Sequence, residues 1–319
     1  MWRWRASPAP PSHSSAKHSP DPRRPRHHSQ VGSFPNWDVW GEWNGKFRDD
    51  VRRFVRGDAG AKRGLATRLA GSADLYATGA RRPDQQVNFV IAHDGFSLGD
   101  WVAYSAKHNE ANGEGGRDGS DDNLSWNCGV EGPTADPAVL SLRGSVARSA
   151  MLALFLAAGT PMIVAGDEYL STHGGNNNWY GHDDATSRFD WAAAVGDAAG
   201  FRRFMTELIA LRMAHPLLGG THFWGGGDVV WYEGAWDDDS SRFLAFELRP
   251  RGEGERLFAA FNAHGHGVAA ALPPGRWARL VDTHLPPPRD ITPGGNAGIT
   301  GAAYDMAPHS AILLESRGG

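Results

Sequence analysis

Only one of the 319 residues, Cys128, is a cysteine. No disulfide can form within the chain, and a zinc site built on cysteines is excluded. A reducing compartment is the simpler setting. No charge sign dominates either. Lys and Arg number 32 against 36 Asp and Glu, for a net charge of −4. That balance gives no general pull toward nucleic acid or an anionic membrane and leaves room for a neutral polymer. Long apolar runs are missing. The mean hydropathy is −0.45, and the longest apolar stretch, residues 151–158, falls well below the roughly 18–20 residues a membrane span needs. Acids and apolar period are both scarce in residues 1–30, where Asp21 is the sole acid among Pro, Ser, Arg and His. Such a segment cannot bury a core and reads as a disordered tail. Its composition also suits a transit peptide, or a gene-model artefact.

Tryptophan, by contrast, is abundant, with thirteen copies. Each taken singly is best read as core, while as a set they suit a ligand with flat apolar faces, such as a sugar. Residues 44–56 (NGKFRDDVRRFVR) predict a helix with Phe47, Val51, Phe54 and Val55 on one face, stopped by Gly57. Residues 87–92 (VNFVIA) predict a strand covered on both sides, ending in His93-Asp94-Gly95. A long polar loop follows over residues 105–134. Asp136-Pro137 then caps a helix to about Ala158, and residues 162–165 (MIVA) predict a second buried strand ending in Gly166-Asp167-Glu168. Phe201, Met205, Leu208 and Leu211 carry a further helix to about Ala214. Buried strands alternating with helices imply a parallel sheet, whose chemistry sits at the C-terminal strand ends, where His93, Asp94, Asp167 and Glu168 fall. After Gly219 the pattern changes to short strands at 229–232, 243–248, 257–262, 267–272, 277–281 and 311–315, which predict a separate antiparallel β-sandwich.

By itself the His93-Asp94 pair is weak, because Asp94 could simply cap a helix from Phe96. Residues 118–129 (DGSDDNLSWNCG) lack the turn glycine and final glutamate of an EF-hand, and no metal site is expected. The segments VNFVIAHDGFSLGDWVAYSAKHNEANGEGGRDGSDDNLSWNCGVEGPT, LFLAAGTPMIVAGDEY and GGNNNWYGHDD occur here in order. They resemble the isoamylase and glycogen-debranching branch of the α-amylase family of glycoside hydrolases, in its plant and algal plastid forms above all. The resemblance runs from about Val31 to Ser316.

It implies an α/β fold: residues 31–218 as the C-terminal part of a (β/α)8 TIM barrel and residues 219–319 as a C-terminal β-sandwich. It implies hydrolysis of α-1,6-glucosidic branch linkages by a retaining mechanism. Asp94 would be the transition-state-stabilising carboxylate, with His93 bonding the same sugar. Asn176, Asn177, Asn178 and Tyr180 would line the cleft, and Asp167 and Glu168 would join them in binding substrate. The partner would be a branched α-glucan such as amylopectin, glycogen or limit dextrin. Neither a cofactor nor a metal is called for, nor nucleic acid nor membrane, and homo- or hetero-oligomers with isoamylase subunits are implied. The compartment would be the chloroplast stroma in a plant or alga and the cytoplasm otherwise. A retaining glycosidase also needs a nucleophile and a general acid. The family carries them in motifs like DGFRFD and AEAWD, and neither occurs in this sequence. The chain alone is therefore expected to be inactive. The alternative is a non-catalytic glucan-binding or regulatory isoamylase subunit. A barrel lacking strands cannot close, so an open apolar edge is expected beside a sandwich ordered by itself.

Overall fold

A computed structural model describes residues 31–32, 40–77, 81–232, 234–296 and 298–317. The tail reading for residues 1–30 lies outside them. Helix α1 (Gly45–Arg56) is capped by Asn44, whose side chain accepts from the Phe47 amide, and it ends at Gly57 in the left-handed region at φ 92. A Cβ at Gly57 would come within 2.9 Å of the Ala263 carbonyl, so glycine is required there on two counts. The buried face holds the four predicted apolar residues and also Arg52. Two short helices follow, α2 (Lys62–Leu69) and α3 (Ala73–Tyr76), neither marked in the sequence by a strong apolar stripe.

The parallel sheet is small: β1 (Glu42–Trp43), β2 (Gln86–Asn88) and β3 (Thr160–Pro161), in the order β1-β2-β3. Both strand expectations need correction. Strand β2 begins a residue early and stops at Asn88. Residues 89–92 remain buried but leave the ladder. Residues 162–165 form no strand. Met162, Ile163 and Val164 are only half-buried, and Ala165 is exposed. The cause is a shortage of neighbours. The β2–β3 ladder has two registered pairs, Pro161 has no N–H to donate, and among the described residues no strand lies beyond β3. Inside the sheet, the Asn44 side-chain amide donates to Ser72, Gln86 and Asn88 at 2.9–3.2 Å, so part of this core is polar and satisfied.

Helix α4 (Leu98–Trp101) is one turn long and is capped by Ser97, not Asp94. Helix α5 (Pro137–Leu156) starts at the Asp136 cap as predicted, two residues short of the expected end. Continuous apolar runs stay short, yet α5 as a whole is long and apolar enough by composition to cross a membrane, with mean hydropathy 1.4. From Arg143 on its apolar residues are buried, because α5 packs against α1, α2, α7 (Phe201–Ala214) and the strand at Ser310–Arg317, while Leu140 near its start stays exposed. It is a core helix of this body. A short α6 (Trp191–Gly196) precedes α7.

The antiparallel part has a five-stranded sheet and a two-stranded one. The first contains β4 (Val229–Trp231), β5 (Phe243–Leu248), β6 (Leu257–Asn262), β8 (Arg276–Asp282) and β10 (Ser310–Arg317), ordered β4-β5-β6-β10-β8. The second pairs β7 (Val268–Ala271) with β9 (Ala303–Met306). Strand β9 went unseen because its small and polar residues (AYDM) give little alternation. The large sheet is covered on both faces. Leu244, Phe246, Ala259 and Phe261 join the helices in one core, while Ala245, Phe258, Ala260 and Leu314 pack with Ala270 and Met306 of the small sheet. Double cover explains the unbroken apolar run of β6.

Candidate functional site

A cleft of about 260 Å³ opens where α1, residues 94–95, the loop at 119–124 and Asn177–Asn178 converge. Asp94 lies exposed in its wall, and the next amide, Gly95 N–H, donates to the Asn177 carbonyl at 3.1 Å. The chain leaving β2 is thereby pinned to the opposite loop, and Asp94 is presented at their junction. Asp49 and Asp122 also line the cleft. Asp49 accepts from the Arg48 guanidinium at 2.7 Å, and Asp122 accepts from the Leu124 amide at 3.1 Å.

Beneath these carboxylates lies Arg52. It is buried, with Nε donating to the Val90 carbonyl at 2.8 Å and Nη1 to the Asn123 carbonyl at 2.9 Å. Its Nη2 is buried without a hydrogen-bond partner. Burial and the nearby Arg48 push its pKa down to about 9, against an opposing pull from Asp49, Asp94 and Asp167. The charge is thus poorly solvated and within electrostatic reach of Asp94.

The cleft wall is a loop-on-loop network. Asn177 donates to the Ser120 carbonyl at 2.8 Å and to the Asn123 side chain at 3.0 Å, and accepts from Asn109 at 2.8 Å. Asn178 and Asn112 donate to Asp118 at 2.9 and 2.6 Å, and these amides hold its carboxyl below the usual range. Asn176 bonds Asn112 at 2.5 Å, and His182 bonds the same Asn112 oxygen at 2.6 Å. Only glycine fits at 119. Its φ is +71, and a Cβ would fall 2.1 Å from the Asn177 side-chain oxygen.

The structure divides the expected site residues. Asp94, Asn177 and Asn178 share the cleft lining. His93 is exposed beside it, edge-on to the exposed Trp43 at 5.7 Å. Asn176 is buried within the network, outside the lining, and Tyr180 is 83% exposed away from it. Asp167 is buried and accepts from the Val164 amide at 2.9 Å and the Leu98 amide at 3.3 Å; burial pushes its pKa up to about 7. Glu168 is half-buried and accepts from the Gly166 amide at 2.8 Å. These two carboxylates shape the turn after β3 and do not reach the Asp94 cleft. The sequence reading missed Arg48, Asp49 and Arg52. The available signal was Arg52, a charge on the helix stripe with Phe47, Val51 and Val55.

This fold is one seen in solved glycoside hydrolases. Pullulanase from Bacillus acidopullulyticus matches with a TM-score of 0.64 at 21% identity, over 86% of this chain and 30% of that one. Pullulanase type I from Bacillus subtilis str. 168, complexed with maltose, matches with 0.64 at 19%, over 87% and 35%. These likenesses define the fold, one that the chain shares with part of the pullulanases.

Sequence relatives narrow it. Isoamylase 3, chloroplastic, of Oryza sativa subsp. japonica is 50% identical over 291 residues, covering 90% of this chain and 37% of that protein. Isoamylase SU1, chloroplastic, of Zea mays is 40% identical over 307 residues, 90% and 39%. Glycogen operon protein GlgX homolog of Mycobacterium tuberculosis (strain ATCC 25618 / H37Rv) is 40% identical over 289 residues, 81% and 40%. No protein-family model matches the chain. By sequence the chain is similar to isoamylases and glycogen debranching enzymes, and it spans about two-fifths of the length of these relatives.

Proposed function

We propose that this chain supplies one wall of the substrate cleft of a debranching hydrolase acting on α-1,6-glucosidic linkages. In this reading residues 31–218 are the C-terminal part of a (β/α)8 barrel and residues 219–319 its β-sandwich. The substrate is a branched α-glucan: amylopectin, glycogen or limit dextrin. The observation that carries the reading is Asp94, presented in a cleft above a buried arginine, within the HDG segment that carries the family resemblance. An oxocarbenium-like transition state flattens the sugar ring and develops positive charge. A fixed carboxylate bonding ring hydroxyls favours that geometry over the ground state. Arg52 holds the floor under Asp94. Trp43 and His93 offer an apolar plate and a polar group at the rim. Bond cleavage needs a nucleophile and a general acid besides Asp94, and the chain alone is proposed to be inactive for lack of both motifs.

The test is a chimera in which this chain replaces the matching region of rice Isoamylase 3. The chimera should release reducing ends from amylopectin. Asp94→Asn should lower kcat on the order of 10² or more while KM changes little. A near-normal kcat in Asp94→Asn would reduce Asp94 to a scaffold residue. A chimera that binds amylopectin without cleaving it would favour the non-catalytic subunit instead. For the compartment, the plastid is proposed in a plant or alga and the cytoplasm otherwise, read by a fluorescent fusion.

A further inference from the structure

Away from the Asp94 cleft, an open groove of about 710 Å³ runs between α2 and the segment after β4, within the roughly 300–1,000 Å³ of small-molecule sites. The two cavities share no lining residue. Three tryptophans line the groove: Trp224, Trp231 and Trp236. Each is half-buried, backed by the main core and open on its other side. Trp224 and Trp231 rest on Phe246 with ring centroids 5.5 and 5.3 Å away, and Trp231 meets Trp236 edge-on at 5.8 Å.

Their indole N–H groups mark them off from core tryptophans. The fully buried Trp101 and Trp277 donate to the carbonyls of Leu124 and Pro273 at 2.8 and 2.9 Å. Among the described residues, the three groove indoles have no such acceptor, and their donors are not sealed from solvent. A buried indole normally finds a partner, so these three are apolar plates with a free polar edge. The rim supplies donors and acceptors of both signs. Arg63 donates to the Trp236 carbonyl at 3.2 Å, sits 6.0 Å over the Trp236 ring and pairs with the almost fully exposed Asp237, next to Asp238. With Lys62, which donates to the carbonyl of the groove-lining Ala235, two cations stand beside two carboxylates, so the rim favours neither charge sign. Flat apolar faces, free N–H donors and mixed-sign polar groups suit a neutral ring compound bearing many hydroxyls.

We propose that this groove is a second carbohydrate site, which takes a linear segment of the same α-glucan whose branch point lies in the cleft. Recognition of a sugar follows from the groove itself; the choice of an α-glucan rests on the proposed function. Stacking on two or three indoles holds the chain by its ring faces. A site of this kind raises the local concentration of polymer at the cleft without taking part in bond cleavage.

The test is native electrophoresis of the 319-residue chain through gels containing amylopectin, with maltoheptaose as soluble competitor. The chain should be retarded, and maltoheptaose should release it. Glu253→Gln, an exposed change that lines neither cavity, should leave the retardation in place. Trp231→Ala with Trp236→Ala should weaken it about fivefold or more, the scale of losing aromatic stacking contacts. Thr67→Arg fills the groove from an α2 position and leaves the three tryptophans in the sequence, and it decides the matter if the tryptophan variant fails to fold. Unchanged retardation in both groove variants, or an equal loss in Glu253→Gln, would overturn the groove and leave the cleft reading standing. A wild-type chain that is not retarded at all would also overturn it, while chimera activity still judges the function separately.

Discussion

Arg52 is a charge placed where helix α1 otherwise buries phenylalanine and valine. Removing it leaves the carbonyls of Val90 and Asn123 without their donors, at a cost of about 1–3 kcal/mol for each buried acceptor left unpaired. Part of that cost is offset, because the variant no longer buries a poorly solvated cation. Arg52→Met should therefore lower the unfolding free energy by about 2 kcal/mol, read as a shift in urea midpoint with unchanged slope. Arg52→Lys should not restore it, since one ammonium on a flexible stem cannot reproduce the fork between two carbonyls. Full stability in Arg52→Met would mean that water serves both carbonyls equally well. The identity of this residue was open to a sequence reader, but its role was not. A charge on a helix stripe is visible in a string of letters, whereas its two acceptors come from residues 38 and 71 positions away.

The loop at residues 105–134 shows what an element without regular structure can still hold. Glu131 accepts from the amides of Ser105 and Ala106 at 2.9–3.1 Å, from Asn127 at 2.9 Å, and meets His108 at 3.2 Å. Burial raises its pKa, but those bonds more than offset the effect and hold it at about 2. The sign follows directly. A carboxyl whose folded pKa is depressed adds stability above its unfolded pKa of about 4.3, and that stability is lost as pH falls through the folded value. Wild type and Glu131→Gln should therefore differ in urea midpoint at pH 7 and converge between about pH 4.3 and about pH 2. A gap that stays constant across that range would show that the clamp does not depend on charge. Cys128, in the same loop, is buried with its thiol pushed up to about 12, so its reactivity toward thiol reagents in the folded chain should be minimal.

For the molecule as a whole, the helices and the large sheet share one continuous core. Polar bonds reinforce it. Ser149 bonds Thr283 at 2.9 Å, Arg148 donates to the Thr283 carbonyl at 3.0 Å, Ser145 donates to the His309 carbonyl at 2.7 Å, and Arg203 pairs with Asp290. The described residues from Val31 on form one compact unit. From the sequence the expectation is a sandwich ordered apart from an open barrel segment, and unfolding tests it. With the core joined in this way, far-UV circular dichroism and tryptophan fluorescence should report a single, coincident unfolding transition. Two separated transitions, with residues after Gly219 surviving the first, would restore the picture of independent parts.

Local physics made much of this legible beforehand. The helix over residues 44–56 and its Gly57 stop, the Asp136 cap, helix α7 and strands β5 and β6 follow from capping, period and apolar content within a dozen residues, and the HDG segment pointed to Asp94. Only the tertiary structure decided the rest. Strand ladders exist only where neighbours are present, so residues 162–165 lost their place. Burial is a property of the assembled chain, so Asp167 went beneath the surface while Asp94 stayed in the cleft. A site is a meeting of distant residues. That is why Arg52, the asparagine wall and the three-tryptophan groove came into view only when α1, the loops and β4 stood side by side.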